Sequence, residues 1–272
     1  MSVIKFLHGD CIDWMNKLAN RDAKVDVILT SPPYNTSRPS SERSMNNYES
    51  RYKVYDDLKT GEEYCGWCID IFNHFDTVLK SNGVVLWNVS YGTDATVNTE
   101  GIGLMWNSIS DIIRNTNFTV ADKIVWKKKS ALPNNVSPNK LTRICEEVFV
   151  FCRKDEYKTF HANKDVSSVG KNGQKFYKVL YNFVEAPNND GATKLNKATY
   201  SSDLCVQLLN MYAPKQAIIF DPFGGTGTTG IACEMLDLNC ICTEIDAEQV
   251  EYSKERLIEY RNKIWLKETS TT

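Results

Sequence analysis

The chain has 272 residues, 42% hydrophobic and 24% charged, so it is long enough to bury a full core in one large domain or two modest ones. Its net charge of -2 and pI of ≈ 6.0 argue against a protein that simply coats nucleic acid. No apolar run approaches the length of a membrane span, and the nine cysteines lack the framework of a small secreted scaffold. We therefore expect a soluble intracellular protein with reduced thiols.

Short runs rich in Val and Ile alternate with helix-length amphipathic segments along most of the chain. The predicted strands, in chain order, cover residues 3–7, 25–29, 83–89, 119–126, 146–152, 217–221 and 239–244. The predicted helices lie near 10–19, 61–80, 103–115, 201–212, 227–237 and 247–261. This alternation predicts an α/β fold with a doubly wound, mostly parallel sheet of about seven strands.

Two segments interrupt the alternation. Residues 35–60 are polar, poor in aliphatic side chains and too long for an ordinary connection, so we expect a mobile or functional loop. Residues 153–195 mix Lys, Asn and aromatics without clear periodicity and are interpreted as a small insertion. The catalytic core is then expected to comprise residues 1–152 and 196–272.

Charge is distributed unevenly along the chain. Thirteen Lys or Arg stand against six acidic residues between positions 122 and 182, whereas 234–259 carries eight acids and two basic residues. The basic region is suited to phosphates, although a basic solvated surface would give the same pattern. No metal site is predicted, because Cys65 and Cys68 lack a second ligand pair and the three histidines form no metal motif.

A glycine cluster, "AIIFDPFGGTGTTGIACEML", runs from a predicted buried strand into a helix. Its Gly225-x-Gly227-x-x-Gly230 spacing matches the dinucleotide fingerprint, although glycine loops also serve as plain turns. The next predicted strand ends at Glu244, whose carboxylate could accept both hydroxyls of a ribose. A ribose-bearing cofactor is expected, and the spacing alone leaves a nicotinamide oxidoreductase as an alternative.

A second motif, "TSPPYN", follows the predicted strand 25–29. Ligands bind at the carboxyl ends of strands in open α/β sheets, so this proline turn and the glycine loop can line one crevice if the fold brings them together. Consecutive prolines fix φ and restrict the preceding residue, which makes the turn stiff.

The pairing of "TSPPYN" with a distal "DPFGGTGTTG" and "CTEIDAEQVEYSKERL" resembles the S-adenosylmethionine-dependent DNA amino-methyltransferases. It is similar to their permuted group, the β class, which places the catalytic motif before the cofactor loop. "LHGDCIDWMNKL" and "KIVWKKKSALPNN" followed by "EEVFVFCRK" resemble further elements of that family. "NKATYSSDL" departs from the family's pattern and leaves open which residues at 196–201 touch the cofactor.

The resemblance implies a Rossmann-like methyltransferase fold, S-adenosylmethionine as cofactor and a location in the cytoplasm or nucleoid, or in the nucleus of a eukaryotic source. The implied catalytic residues are Ser31, Pro32, Pro33 and Tyr34. The implied cofactor contacts are Asp10, Asp221, Phe223, Gly225, Gly227, Thr228 and Glu244.

A physical role for the turn follows from the chemistry of an exocyclic amine, whose lone pair is delocalised into the base. Ser31 Oγ and the Pro32 carbonyl are candidate acceptors for the two amino hydrogens, which would aim the lone pair at an electrophilic methyl. The Tyr34 ring could stack on a base flipped from the duplex, offsetting much of the cost of flipping. The resemblance also implies a target base: family members with Ser at the first position of this motif mostly act on cytosine, so Ser31 favours cytosine N4, with adenine N6 open. Ring-carbon methylation is disfavoured because no proline precedes a cysteine.

Double-stranded DNA is the expected partner. Recognition is expected from the 35–60 loop and the 153–195 insertion, with Arg38, Lys127, Lys128, Lys129 and Arg143 at the DNA. A cognate restriction endonuclease and a second copy of the chain are candidate further partners. A non-catalytic regulatory subunit that binds nucleic acid or cofactor, and an RNA or protein methyl acceptor, stay open as alternatives.

Overall fold

The computed structural model of the protein describes residues 2–35, 59–90, 103–131, 133–135, 138–139, 141–191, 195 and 199–270. Within these residues the chain forms ten strands: β1 (Ile4–His8), β2 (Val25–Thr30), β3 (Leu79–Val89), β4 (Phe118–Lys128), β5 (Cys145–Arg153), β6 (Val166–Val169), β7 (Lys175–Tyr177), β8 (Phe183–Ala186), β9 (Ile218–Asp221) and β10 (Asn239–Glu244).

Eight of these strands form one sheet in the order β1-β10-β9-β2-β3-β5-β4-β8. β5 runs antiparallel to both of its neighbours, and all other pairs are parallel. All seven predicted strands are present, and the prediction of a mostly parallel, Rossmann-like sheet is confirmed.

The eighth strand, β8, arises from the segment 153–195 and corrects the predicted strand count of about seven. Its four residues alternate between exposed and buried, with Val184 and Ala186 packed into the core. A four-residue run is too short to be distinguished by its periodicity in the sequence. The same segment also carries the hairpin of β6 and β7, whose strand residues are all exposed.

In the described ranges, six helices cover the two faces of the sheet. They are α1 (Cys11–Ala19), α2 (Gly61–Val78), α3 (Gly103–Asn115), α4 (Ser202–Tyr212), α5 (Thr228–Met235) and α6 (Ala247–Ser270). Buried side chains of α1, α2 and α3 belong to one apolar cluster and those of α4, α5 and α6 to the other, as a doubly wound fold requires. None of the helices in the described part of the chain is long and apolar enough to cross a bilayer.

The strand order decides where the two sequence motifs meet. β2 and β9 are parallel neighbours, with Val27 opposite Ile219 and Ile28 opposite Phe220. Their carboxyl ends therefore lie at the same edge of the sheet, and the segments that leave them are adjacent although far apart in the chain.

Candidate active site

The proline turn leaves β2 directly after its last residue. Pro32 and Pro33 are buried, while Ser31 and Tyr34 are partly exposed. The Ser31 Oγ and the Tyr34 hydroxyl lie 2.5 Å apart, and the Tyr64 hydroxyl donates a 3.0 Å hydrogen bond to the Pro33 carbonyl. The turn is thus held both by its prolines and by a side chain of α2.

Behind the turn lies a buried polar network that the sequence motifs did not reveal. Asn88 Nδ2 donates to the Tyr34 hydroxyl at 2.8 Å, to Ser31 Oγ at 3.3 Å and to Glu146 Oε2 at 3.2 Å. The other oxygen of Glu146 is paired with the Lys128 ammonium. The sequence signal was a polar residue, Asn88, inside the apolar run "GVVLWNV", where a buried amide requires hydrogen-bond partners.

The glycine loop joins β9 to α5. Gly225 and Gly227 have φ values of 51° and 80°, a region that residues with a Cβ rarely adopt. A Cβ on Gly227 would lie 2.7 Å from the Ser253 Cβ of α6. Gly227 is therefore required both by its backbone conformation and by close packing at the start of α5.

Asp221 ends β9 and is buried beneath the loop. One carboxylate oxygen accepts from Thr30 Oγ1 at 2.6 Å and from the Phe223 amide at 3.1 Å. The other accepts from Thr229 Oγ1 at 2.5 Å and from the Tyr200 hydroxyl at 3.1 Å. Burial raises the pKa of Asp221 above its ordinary value. These bonds tie the end of β2 to the glycine loop.

Two carboxylates, Glu244 and Asp10, lie at the end of the site beside β1 and β10. The oxygens of Glu244 accept from the amides of Gly225 at 2.8 Å and Asp246 at 3.0 Å. Burial raises the pKa of Glu244, which these two donors oppose. Asp10 caps α1 by accepting from the Ile12 amide at 2.8 Å. The carboxylates therefore share one end of the site.

One cleft, open to solvent, runs between the turn and the loop. Seven of the predicted residues line it: Asp10, Ser31, Pro33, Phe223, Gly225, Thr228 and Glu244. The other predicted catalytic and cofactor residues, Pro32, Tyr34, Asp221 and Gly227, lie outside the lining. Trp67 lines the cleft without having been predicted, and Thr199 and Tyr200 line it from the range 196–201, in which the sequence left the contact residues open. Residues of both motifs therefore face one cleft.

The model of the N6/N4 DNA methylase family matches residues 25–255, which is most of the chain. The chain belongs to this family. The prediction of an S-adenosylmethionine-dependent DNA amino-methyltransferase is thereby confirmed, whereas the β-class assignment and the individual residue roles stay predictions.

Individual relatives support the same assignment. Over 253 residues the chain is 28% identical to the type II methyltransferase M2.MboI of Moraxella bovis, covering 91% of this chain and 85% of the relative. It is 26% identical to the type II methyltransferase M.BglII of Bacillus subtilis, and the match covers 93% of this chain and 68% of the relative. The nicotinamide alternative finds no support in these relatives.

Solved structures share the fold of this DNA methylase. The PvuII DNA methyltransferase, described as cytosine-N4-specific, superposes with a TM-score of 0.67 at 18% identity. The match covers 97% of this chain and 93% of that structure. The complex of M1.HpyAVI with S-adenosylmethionine superposes with a TM-score of 0.59 at 20% identity. The match covers 93% of this chain and 98% of that structure.

The predicted DNA-binding residues of this DNA methylase fall into different environments. Lys127 pairs with the Glu185 carboxylate at 2.8 Å, and Lys129 and Arg143 are exposed. Lys128 instead pairs with the buried carboxylate behind the proline turn, so the structure does not favour its predicted contact with phosphate. Arg38, like most of the predicted 35–60 loop, lies outside the described residues.

Proposed function

We propose that this protein transfers the methyl group of S-adenosylmethionine to the exocyclic N4 amino group of a cytosine flipped out of double-stranded DNA. The observation that carries the proposal is the shared cleft, which is lined by the catalytic turn at Ser31 and by the glycine loop at Gly225. Both groups of residues must face one space if an amine is to meet a cofactor-borne methyl.

The cleft fits the cofactor in three respects. Glu244 presents a carboxylate held by two backbone amides, suited to ribose hydroxyls. The glycine loop allows close approach of the ligand to the backbone. The Thr199 hydroxyl is buried in the cleft wall with no hydrogen-bond partner in the described part of the chain, so a polar group of the ligand would satisfy it.

When bound, S-adenosylmethionine would supply a methyl group activated by the positive sulfonium, so that transfer to an amine needs no metal and no covalent intermediate. The protein's own contribution is orientation. When the Ser31 hydroxyl donates to Tyr34, the Ser31 oxygen keeps a lone pair for an amino hydrogen, and the Pro32 carbonyl is the candidate second acceptor. Asn88, fixed by Glu146, holds both hydroxyls in position.

On the DNA side, we assign base capture to the Tyr34 ring and phosphate contacts to Lys127, Lys129 and Arg143. The hairpin of β6 and β7 within 153–195 is the candidate recognition element, because a two-stranded ribbon fits the major groove. Cytosine is preferred over adenine on account of Ser31, and the cytosine-N4-specific neighbour with the same fold is consistent with this choice.

We extend the proposal to a type II system, since relatives in Moraxella bovis and Bacillus subtilis are type II methyltransferases. A restriction endonuclease of the same specificity is then the candidate partner. A second copy of the chain stays a predicted partner.

The test is nucleoside mass spectrometry of unmethylated DNA treated with the protein and S-adenosylmethionine carrying a labelled methyl. N4-methylcytosine that disappears with Ser31→Ala is the expected result. N6-methyladenine would overturn the choice of base while leaving amino-methylation intact. Label in RNA or protein, with none in DNA, would refute DNA as the acceptor.

A further inference from the structure

Trp67 lines the cleft although it belongs to neither sequence motif. It lies on α2 and is partly exposed, three residues after the buried Tyr64. The indole is thus half-buried and contributes apolar surface to the wall of the cleft.

Trp67 is the middle member of an aromatic row that joins the two halves of the site. Its ring stacks on Tyr64 with centroids 5.7 Å apart and 29° between planes, and it meets Phe223 of the glycine loop at 5.5 Å. Tyr64 in turn holds the Pro33 carbonyl of the proline turn. The indole therefore lies between the catalytic turn and the cofactor loop, where the transferred methyl must be presented.

The side chains of the aromatic row carry no charge, although the buried Asp221 carboxylate behind the cleft wall accepts a hydrogen bond from the Phe223 amide. Among the described lining residues, the only carboxylates are Asp10 and Glu244, which lie together beside β1 and β10. The end near Ser31 is lined by Trp67, Phe223 and Pro33, which carry no charge. A cation placed there loses hydration, and an indole face offsets that loss through its quadrupole.

We propose that Trp67 binds the sulfonium of S-adenosylmethionine by a cation–π contact and so lets the cleft favour the charged cofactor over the neutral product, S-adenosylhomocysteine. The inference rests on the proposed function and adds a residue that determines cofactor selectivity. A cleft that holds the cation more firmly than the thioether also releases its product more readily after each transfer.

Calorimetric titration of the whole chain with each ligand, without DNA, tests the inference. We expect Trp67→Leu to raise the Kd of S-adenosylmethionine about fivefold more than that of S-adenosylhomocysteine, the size of one cation–π contact. Trp67→Phe retains a π face and should keep most of the wild-type ratio of the two Kd values. An analogue with an amine in place of the methylsulfonium should follow the charged ligand.

Trp106→Leu is the control, because Trp106, although exposed, also packs on an aromatic ring, Phe149, and does not line the cleft. It should leave both Kd values unchanged. Equal weakening of the charged and neutral ligands by Trp67→Leu would overturn the inference and leave Asp221 behind the cleft wall as the source of any preference. Methyl transfer to DNA by the wild-type chain is measured separately, so failure of the proposed function is distinguishable from failure of this one.

Discussion

Replacing Asn88 by Leu should impair turnover more than cofactor binding. Asn88 does not line the cleft, yet its amide holds the hydroxyls of Ser31 and Tyr34 from behind. Leucine removes both donations while keeping a similar volume. The Ser31 hydroxyl would then be positioned only by Tyr34, which loses its own 2.8 Å bond.

The structure sets the expected magnitudes. In this variant Glu146, which is 8% exposed, would lose the hydrogen bond to Oε2 but keep the ion pair of its other oxygen with Lys128. The loss of one hydrogen bond to a charged group costs roughly 1.5–3 kcal/mol of stability. The lost bond to Tyr34 adds about 1 kcal/mol. If the Ser31 hydroxyl acts as proposed, its displacement by about 1 Å would lower kcat on the order of a hundredfold.

The assay combines kcat and KM for S-adenosylmethionine with a chemical denaturation curve. Asn163→Leu is the control, because Asn163 Nδ2 donates to the carbonyls of Ala213 and Asn210 at the far end of α4. It should lose stability without a comparable loss of kcat. Unchanged kcat in a folded Asn88→Leu variant would refute the positioning role of the amide.

Three further changes test other parts of the site. Gly227→Ala should lower the melting temperature and weaken cofactor binding in calorimetry, because its Cβ would meet Ser253 at 2.7 Å. Lys128→Met should destabilise the fold by about 3–5 kcal/mol, because it removes the ion-pair partner of the buried Glu146 carboxylate. Lys127→Met should barely change the melting temperature. In anisotropy titrations it should reduce the slope of log K for DNA against log salt concentration by about one. Asp221, whose pKa is raised by burial, binds its proton more tightly when folded, so stability should fall as pH rises from about 4 to that raised value. Denaturation of Asp221→Asn against pH should lack this fall.

Much of the fold was accessible from the sequence because strands buried on both faces are continuous apolar runs. The run "VDVIL" became β2, extended by Thr30, and "AIIFD" became β9. The motifs that follow them were equally visible, since Pro and Gly restrict or free the backbone in recognisable ways. Local composition therefore predicted both the sheet and the two segments that line the cleft.

What the sequence could not predict depends on partners brought by the tertiary fold. Asn88 gives no motif, and its role follows only from Glu146 lying on a strand paired with its own. In the sequence Trp67 looks like an ordinary core-facing residue of a helix, and only the tertiary fold places the Phe223 ring against it. Lys128 is indistinguishable from Lys127 in a basic run, although one faces an internal carboxylate and the other an exposed one.

One hydrogen bond shows how the fold makes a single site from two distant motifs. Thr30 and Asp221 are the last residues of neighbouring strands, 191 positions apart in the chain, and their side chains meet at 2.6 Å. Asp221 is also bonded to the amide of Phe223 in the glycine loop, while Thr30 is covalently followed by Ser31. The separation of the Ser31 hydroxyl from the glycine loop is therefore set by bonds within the sheet rather than by flexible connections. Methyl transfer between a bound cofactor and a bound base requires this rigidity, because the distance between the two ligands is set by the positions of the turn and the loop that hold them.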